Sequence, residues 1–261
     1  MPKRKAGTHK GDYGRVLIAA GSKGMTGAAV LASRGAHRTG VGLTYLAVPK
    51  PILDYVDAMT PEIITLPFSE IKKIKADAYA IGPGLRVSLK TKQLLKELAA
   101  YPKTLVVDAD ALNVIAKAPG LIKKTKASLI MTPHPGEMAR LLKKSTAYIQ
   151  SNRLKAAWEA AKKFKCVMVL KGSRTVVADP HGKTFINNTG NPGMASAGVG
   201  DILTGMIAGL AAQGLSAWDA AVVGVYLHGL AGDLADKDKG EYGMIASDVV
   251  EKIPYAIQRS R

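Results

Sequence analysis

The chain has 261 residues, 47% of them hydrophobic, and a single cysteine, Cys166. That is enough for a sizeable core, and it excludes a disordered chain, a disulfide framework and a zinc cluster built on paired thiolates. Lys and Arg number 37 against 20 Asp and Glu, a net charge of +17, while no apolar run reaches the roughly 18 residues of a membrane helix.

Short β-rich runs alternate with amphipathic stretches. Arg15–Ala20 reads as a strand and Met25–Thr39 as an Ala-rich helix. Gly42–Val48 is a strand, followed by a proline-bounded segment from Pro49. Asp77–Ile81 is a strand ending in Gly82-Pro-Gly84, and Ser88–Ala100 a helix with Leu89, Leu94, Leu95 and Leu98 on one side. Thr104–Val107 is a strand, Asp110–Lys117 a short helix, and Ser128–Met131 a strand closed by Thr132-Pro-His-Pro135. Ala147–Phe164 reads as one long helix and Cys166–Leu170 as a strand, with Cys166 an inert core residue. Thr175–Ala178 and Thr184–Ile186 form a hairpin. Three helices follow, over Gly200–Gln213, Ala217–Ala235 and Ala246–Gln258.

This alternation predicts a mostly parallel sheet covered on both faces, in one domain over 11–261. Residues 1–10, with four basic side chains and no terminal apolar run, read as a flexible tail rather than a signal peptide. A cytoplasmic protein is expected. The positive excess lies upstream of His228, because from there on five basic residues face six acidic ones. It is either a solvated lysine-rich surface or a field that attracts anionic partners. Nucleic acid is disfavoured among these by the 5% aromatic content and the absence of a binding motif.

Glycine, proline and polar clusters follow the predicted strand ends, where ligands bind in such sheets. The most informative runs Asn187-Asn-Thr-Gly-Asn-Pro-Gly-Met-Ala-Ser-Ala-Gly-Val-Gly-Asp-Ile-Leu-Thr-Gly205. A polar loop enters an apolar helix here. Ala197-Gly-Val-Gly200 can present bare N–H groups, since glycine tolerates positive φ and close approach. With the helix N-terminus they make an anion cradle. Asp201 beside it is either a helix-stabilising first-turn acid or a general base. Other patterns carry no weight: Gly182-Lys-Thr184 lacks the first glycine of a P-loop, no Gly-x-Gly-x-x-Gly occurs, and the five histidines lack metal-ligand spacing.

The segment resembles the anion hole and catalytic base of the ribokinase-like superfamily. More narrowly, the chain is similar to the ADP/ATP-dependent NAD(P)H-hydrate dehydratases. The likeness extends through His9-Lys-Gly-Asp-Tyr-Gly14, Ala20-Gly-Ser-Lys-Gly-Met-Thr-Gly-Ala28, Ile81-Gly-Pro-Gly-Leu85, Val107-Asp-Ala-Asp-Ala-Leu-Asn113, Thr132-Pro-His-Pro-Gly-Glu137, Leu170-Lys-Gly-Ser-Arg-Thr175 and Tyr226-Leu-His-Gly229.

The resemblance implies a three-layer α/β/α sandwich and repair of hydrated NADH or NADPH by phosphorylation with ADP or ATP and loss of phosphate. It implies Asp201 as base and Ala197, Gly198, Val199 and Gly200 as anion hole. Lys171, Gly172, Ser173, Arg174 and Thr175, with Gly200, would bind the nucleotide. Ala28, Ala29, Gly84, Asp108, Asn113, His134 and Asp201 would line the hydrate site, and Glu137 would hold Mg2+ through water. Each has an ordinary alternative: a hairpin turn at Lys171, a solvated loop histidine at His134, a first-turn acid at Glu137, a helix cap at Asp110, a tight turn at Gly24–Ala29. A homotetramer is expected by the same resemblance. So is a separate epimerase, since the chain has no room for the epimerase domain of many relatives. A ribokinase-like kinase acting on a vitamin precursor is the competing function.

Overall fold

A computed structural model of the chain describes Arg4 and residues 6–260. Among the described residues nine strands form one sheet: β1 (Arg15–Ala19), β2 (Leu43–Val48), β3 (Ile64–Pro67), β4 (Ala78–Ile81), β5 (Thr104–Val107), β6 (Ser128–Met131), β7 (Val167–Leu170), β8 (Val176–Ala178) and β9 (Thr184–Ile186). Their order is 3-2-1-4-5-6-7-8-9. β1 to β7 are parallel, and β8 and β9 return antiparallel as the predicted hairpin. The chain winds outward from β1 through β2 to β3, then restarts on the other side with β4. The switch point lies between β1 and β4, where crevices open beyond the strands' carboxyl ends.

Strand side chains alternate between two buried faces. Leu17, Leu105, Val107 and Met131 pack under α3 (Leu89–Leu98), α4 (Ala109–Lys117), α5 (Pro135–Leu142), α6 (Thr146–Ser151) and α7 (Arg153–Phe164). Val16, Ile18, Val106 and Ile130 pack under α1 (Thr26–Arg38), α2 (Leu53–Met59), α8 (Val199–Ala212) and α9 (Ala217–Lys239). α10 (Ala246–Arg259) closes a third cluster against α8 and α9. The layers are those of an α/β/α sandwich. Among the described residues no helix is long and apolar enough to cross a membrane. Serines start several helices where a free hydroxyl can take an orphan N–H: Ser88 accepts from Thr91, Ser145 from Tyr148 and Ser216 from Asp219, each at 3.1 Å.

Four local expectations change. The predicted helix Ala147–Phe164 is two helices, broken at Asn152 (φ −132°, ψ 40°), whose side-chain amide donates back to Tyr148 O at 3.1 Å. The break aims Arg153 at the turn after β7. β3, α2 and α5 were not resolved from the sequence. β3 is a four-residue edge strand that ends in Pro67, a place where proline is tolerated. Asp110 does not cap α4; its carboxylate accepts Arg86 N–H at 2.8 Å. In the basic start, Arg4 lies over the Tyr13 ring, 3.9 Å from its centroid, and donates to Gly40 O. The rest of the expected tail up to Lys5 lies outside the described residues.

α8 is buried along nearly its whole length. Its glycines admit α1 at backbone distance: a Cβ at Gly205 would stand 1.8 Å from Ala32 O. Gly205→Ala is therefore expected to destabilise the fold by on the order of 3 kcal/mol. Urea unfolding should show a lower midpoint with an unchanged slope.

Candidate active site

The carboxyl ends of β1 to β7 share one edge of the sheet, and the ladder continues into the loops. Asp108 N–H donates to Ile81 O at 3.0 Å and Lys171 N–H to Pro133 O at 2.9 Å. This fixes Asp108 after β5 and Lys171 after β7. The Lys171 ammonium reaches across to Asp108 Oδ1 at 2.6 Å. Asp108 Oδ2 accepts from Thr204 Oγ1, also at 2.6 Å. Asp108 is 1% exposed. It was expected among the ligand-lining side chains; with both oxygens engaged and no open surface, it is the buried counter-ion of Lys171.

The first turn of α8 faces this pair. Gly198 has φ 89°, and a Cβ there would stand 2.3 Å from Leu31 Cδ1, so only glycine fits. Gly200 differs from expectation, since its backbone is helical and carries no positive φ. A Cβ there would meet Lys171 alone, at ordinary contact distance, 3.4 Å from Nζ. No side chain caps the helix. The N–H groups of Val199, Gly200 and Asp201 thus have no acceptor within the helix, at its positive end. Ala197 precedes them on the surface.

A cavity of about 640 Å³ opens beside this turn. One wall is Lys171-Gly-Ser-Arg-Thr175; Asn187–Asn191, Gly200 and His228 complete it. The lysine turn uses positive φ at Gly172 (129°) and Arg174 (53°), and Thr175 Oγ1 donates to Gly172 O at 2.9 Å. Arg153 braces it from below, donating to Leu170 O at 3.0 Å and Lys171 O at 3.1 Å. The opposite wall is stitched to α9: Thr189 Oγ1 donates to Tyr226 O, and Asp233 accepts from Gly190 N–H and Asn191 Nδ2. Every residue expected to bind the nucleotide lines this one cavity.

The residues expected at the hydrate site do not line it. Apart from Asp201, in the first turn of α8, they gather at the ends of β1, β4, β5 and β6. Gly84 (φ 63°) lies against Ala28, where a Cβ would be 3.0 Å from the alanine's. Ala29 is fully buried and faces the core, so its side chain is not at the site. His134 starts α5: its Nδ1 accepts Gly136 N–H at 3.0 Å, and Glu137 Oε2 accepts His134 N–H at 2.8 Å. Asn113 Oδ1 accepts from Arg140 Nε at 2.8 Å. The Lys171–Asp108 pair joins the two sets, because Lys171 lines the cavity while its charge acts on His134 and Glu137.

The electrostatics single out Asp201. Burial first, then the charge of Asp108, push its carboxyl up to about 7, with Lys171 opposing. Burial works against the charge of Lys171, yet Asp108, Glu137 and Asp201 together hold its pKa above the ordinary lysine value. Burial raises Glu137 and lowers His134. A carboxyl near 7 is half in its base form at neutral pH, matched to accepting a proton from a hydroxyl. Because its pKa is raised, the protonated, inactive form dominates below 7. kcat/KM is expected to rise about tenfold per pH unit below 7 and level off above it. A profile that is flat between pH 5.5 and 8 contradicts the assignment.

Glu137 has one oxygen committed to its helix start. Among the described residues, no three His, Cys, Asp or Glu side chains converge as a metal-binding group. This donor set suits a hydrated ion that arrives with a nucleotide's phosphates, since Mg2+ keeps its waters readily.

Sequence reasoning missed Thr204, Arg153 and Asp233. Thr204 stands three residues after Asp201, on the same helix face, a spacing that was available. Arg153 was hidden inside the predicted long helix.

Comparison with known proteins follows the same lines. The profile of the NAD(P)H-hydrate dehydratase family matches residues 16–255. The bifunctional NAD(P)H-hydrate repair enzyme of Moorella thermoacetica is 44% identical over 274 residues, covering 99% of this chain and 52% of that protein. The ADP-dependent (S)-NAD(P)H-hydrate dehydratase of Bacillus subtilis is 33% identical over 265 residues, covering 99% of this chain and 94% of that protein. This chain thus spans about half the length of the bifunctional relatives it matches. A crystal structure of the ADP/ATP-dependent NAD(P)H-hydrate dehydratase of Bacillus subtilis, co-crystallized with ATP/Mg2+, superposes with a TM-score of 0.92 at 32% identity, covering 100% of this chain and 95% of that one. The sheet order, the glycine-started helix and a match along nearly the whole sequence place this chain in the NAD(P)H-hydrate dehydratase family, with a ribokinase-like fold.

Proposed function

We propose that the chain dehydrates the S-epimer of NADH or NADPH hydrate, using ADP or ATP and releasing AMP or ADP with phosphate. The observation that carries this is the uncapped start of α8, with Asp201 in its first turn and the Lys171 ammonium beside it, on the edge of a cavity of nucleotide size. Hydroxide leaves a ring carbon poorly and phosphate leaves well. Asp201 takes the hydroxyl proton, and the oxygen forms a bond to the terminal phosphorus of the nucleotide as the bridging bond to AMP or ADP breaks. Charge growing on the phosphoryl oxygens meets the N–H groups of Gly200 and Asp201 and the Lys171 ammonium. The carbon–oxygen bond then breaks, a proton leaves the neighbouring ring carbon, and the double bond returns with free phosphate.

The turn Lys171–Thr175 would hold the nucleotide phosphates. Gly84, Ala28 and His134 would meet the hydrate. Mg2+ would travel with the nucleotide and offset its charge, with Glu137 reached through water. The reading calls for an epimerase activity that converts the R-hydrate to the S form, and it includes homotetrameric assembly in the cytoplasm.

Incubation of purified protein with NADH hydrate, Mg2+ and ADP or ATP should restore absorbance at the dihydronicotinamide band, with one phosphate released per NADH. Nucleotide consumption by a small vitamin-like alcohol, with no recovery of NADH, would establish the kinase function instead.

A further inference from the structure

His228 is a buried side chain on the wall of the cavity, 8% exposed, and no step above uses it. Its Nε2 lies 2.9 Å from Val199 O. A carbonyl can only accept, so Nε2 carries the hydrogen and donates. Burial, with the nearby charge of Lys171, pushes the ring's pKa down to about 4. The imidazole is therefore neutral at working pH, and Nδ1 is bare.

The acceptor matters because of its place in the chain. Val199 C=O and Gly200 N–H belong to one planar trans peptide, in which the two bonds point in opposite directions. Whatever fixes the carbonyl fixes the N–H. The position of a Gly200 Cβ would lie 3.4 Å from Lys171 Nζ, which puts the ammonium beside this peptide. The carbonyl already belongs to the helix ladder, so the second donor adds polarisation as well as aim. The histidine comes from α9, the helix that also anchors the loop Thr189–Asn191 through Tyr226 O and Asp233. One rigid element thus holds both the peptide and the wall opposite the lysine turn.

We infer that His228 is a positioning residue for phosphoryl transfer, aiming and polarising the Val199–Gly200 peptide so that the Gly200 N–H meets the transferred group. The inference rests on the proposed dehydratase reading of the site. It is distinct from any contact of His228 with the ligand, because the effect passes through the backbone.

The test compares wild type, His228→Leu and His228→Gln, each checked for folding by circular dichroism. A glutamine amide can place a donor near the position of Nε2, and leucine cannot. His228→Leu should lower kcat on the order of 10²-fold, the scale of a misaligned reacting group. Its AMP dissociation constant should stay within about threefold, since AMP lacks the transferred group. His228→Gln should recover most of kcat. Equal losses in both variants, or a weakened AMP affinity with kcat retained, would overturn the inference. Nitrogen-15 NMR of the wild-type ring decides the case where His228→Leu does not fold. A neutral Nε2–H tautomer from pH 5.5 to 8 is expected, and an Nδ1–H tautomer or a titrating ring sinks the idea. An inactive wild type would instead count against the dehydratase reading, with the tautomer still reporting on the peptide contact.

Discussion

Asp201→Asn is expected to lower turnover by on the order of 10²–10⁴, the usual scale for a positioned proton acceptor, while making the protein more stable at pH 8. Both effects come from one cause. The carboxyl is held at about 7 by burial and by Asp108, against an ordinary value of 3.8. A group with a raised folded pKa favours the fold most when protonated, and that contribution is lost as pH rises from about 4 to 7. At pH 8 the wild type carries a buried charge that asparagine does not. The gain is at most about 4 kcal/mol, from roughly three pKa units. Melting curves should show the mutant above wild type at pH 8, with the gap closing near pH 4.5. A mutant that is less stable at pH 8, or that turns over normally, would remove Asp201 from this role.

Lys171→Met is the second large effect, and it is first of all structural. The lysine is the partner of a carboxylate that is 1% exposed, and Thr204 alone cannot balance that charge. Breaking a buried pair from one side costs about 3–5 kcal/mol. Replacing both partners removes the orphaned charge, so Lys171→Met with Asp108→Asn should recover most of the lost stability. Neither variant should recover activity, because the ammonium beside Gly200 is gone in both. Chemical denaturation of the four proteins of this cycle measures the coupling. Additive losses would mean that the pair is not coupled in the fold.

Much of this was legible in the sequence because it is local. The β-rich runs, the glycine-rich turns at their ends and the passage from Asn187 into an apolar helix each depend on neighbours in the chain. The helix break at Asn152 was not read from the sequence, since helix-forming residues lie on both sides of it, while the contact it permits, Arg153 to the carbonyls of Leu170 and Lys171, is distant in the chain. Asp108 shows the same limit. A loop aspartate after a strand reads as a ligand-binding residue, and only the approach of Lys171 and Thr204 from distant segments makes it a buried counter-ion. Gly198 and Gly200 look alike in sequence, yet only Gly198 is required by its backbone angle, and Gly200 lies in ordinary helical backbone.

The burial of α8 has a bearing on heat tolerance. Its first turn presents the amides proposed to face phosphate, and from Ile202 to Ala212 it is part of the core, seated against α1 through Gly205. In many enzymes the working parts are carried by segments that open locally long before the whole molecule does. Here the amides at Gly200 and Asp201 cannot loosen far without dragging the centre of the protein with them. The end of this helix proposed to act in catalysis should keep its order up to the temperature at which the entire chain comes apart.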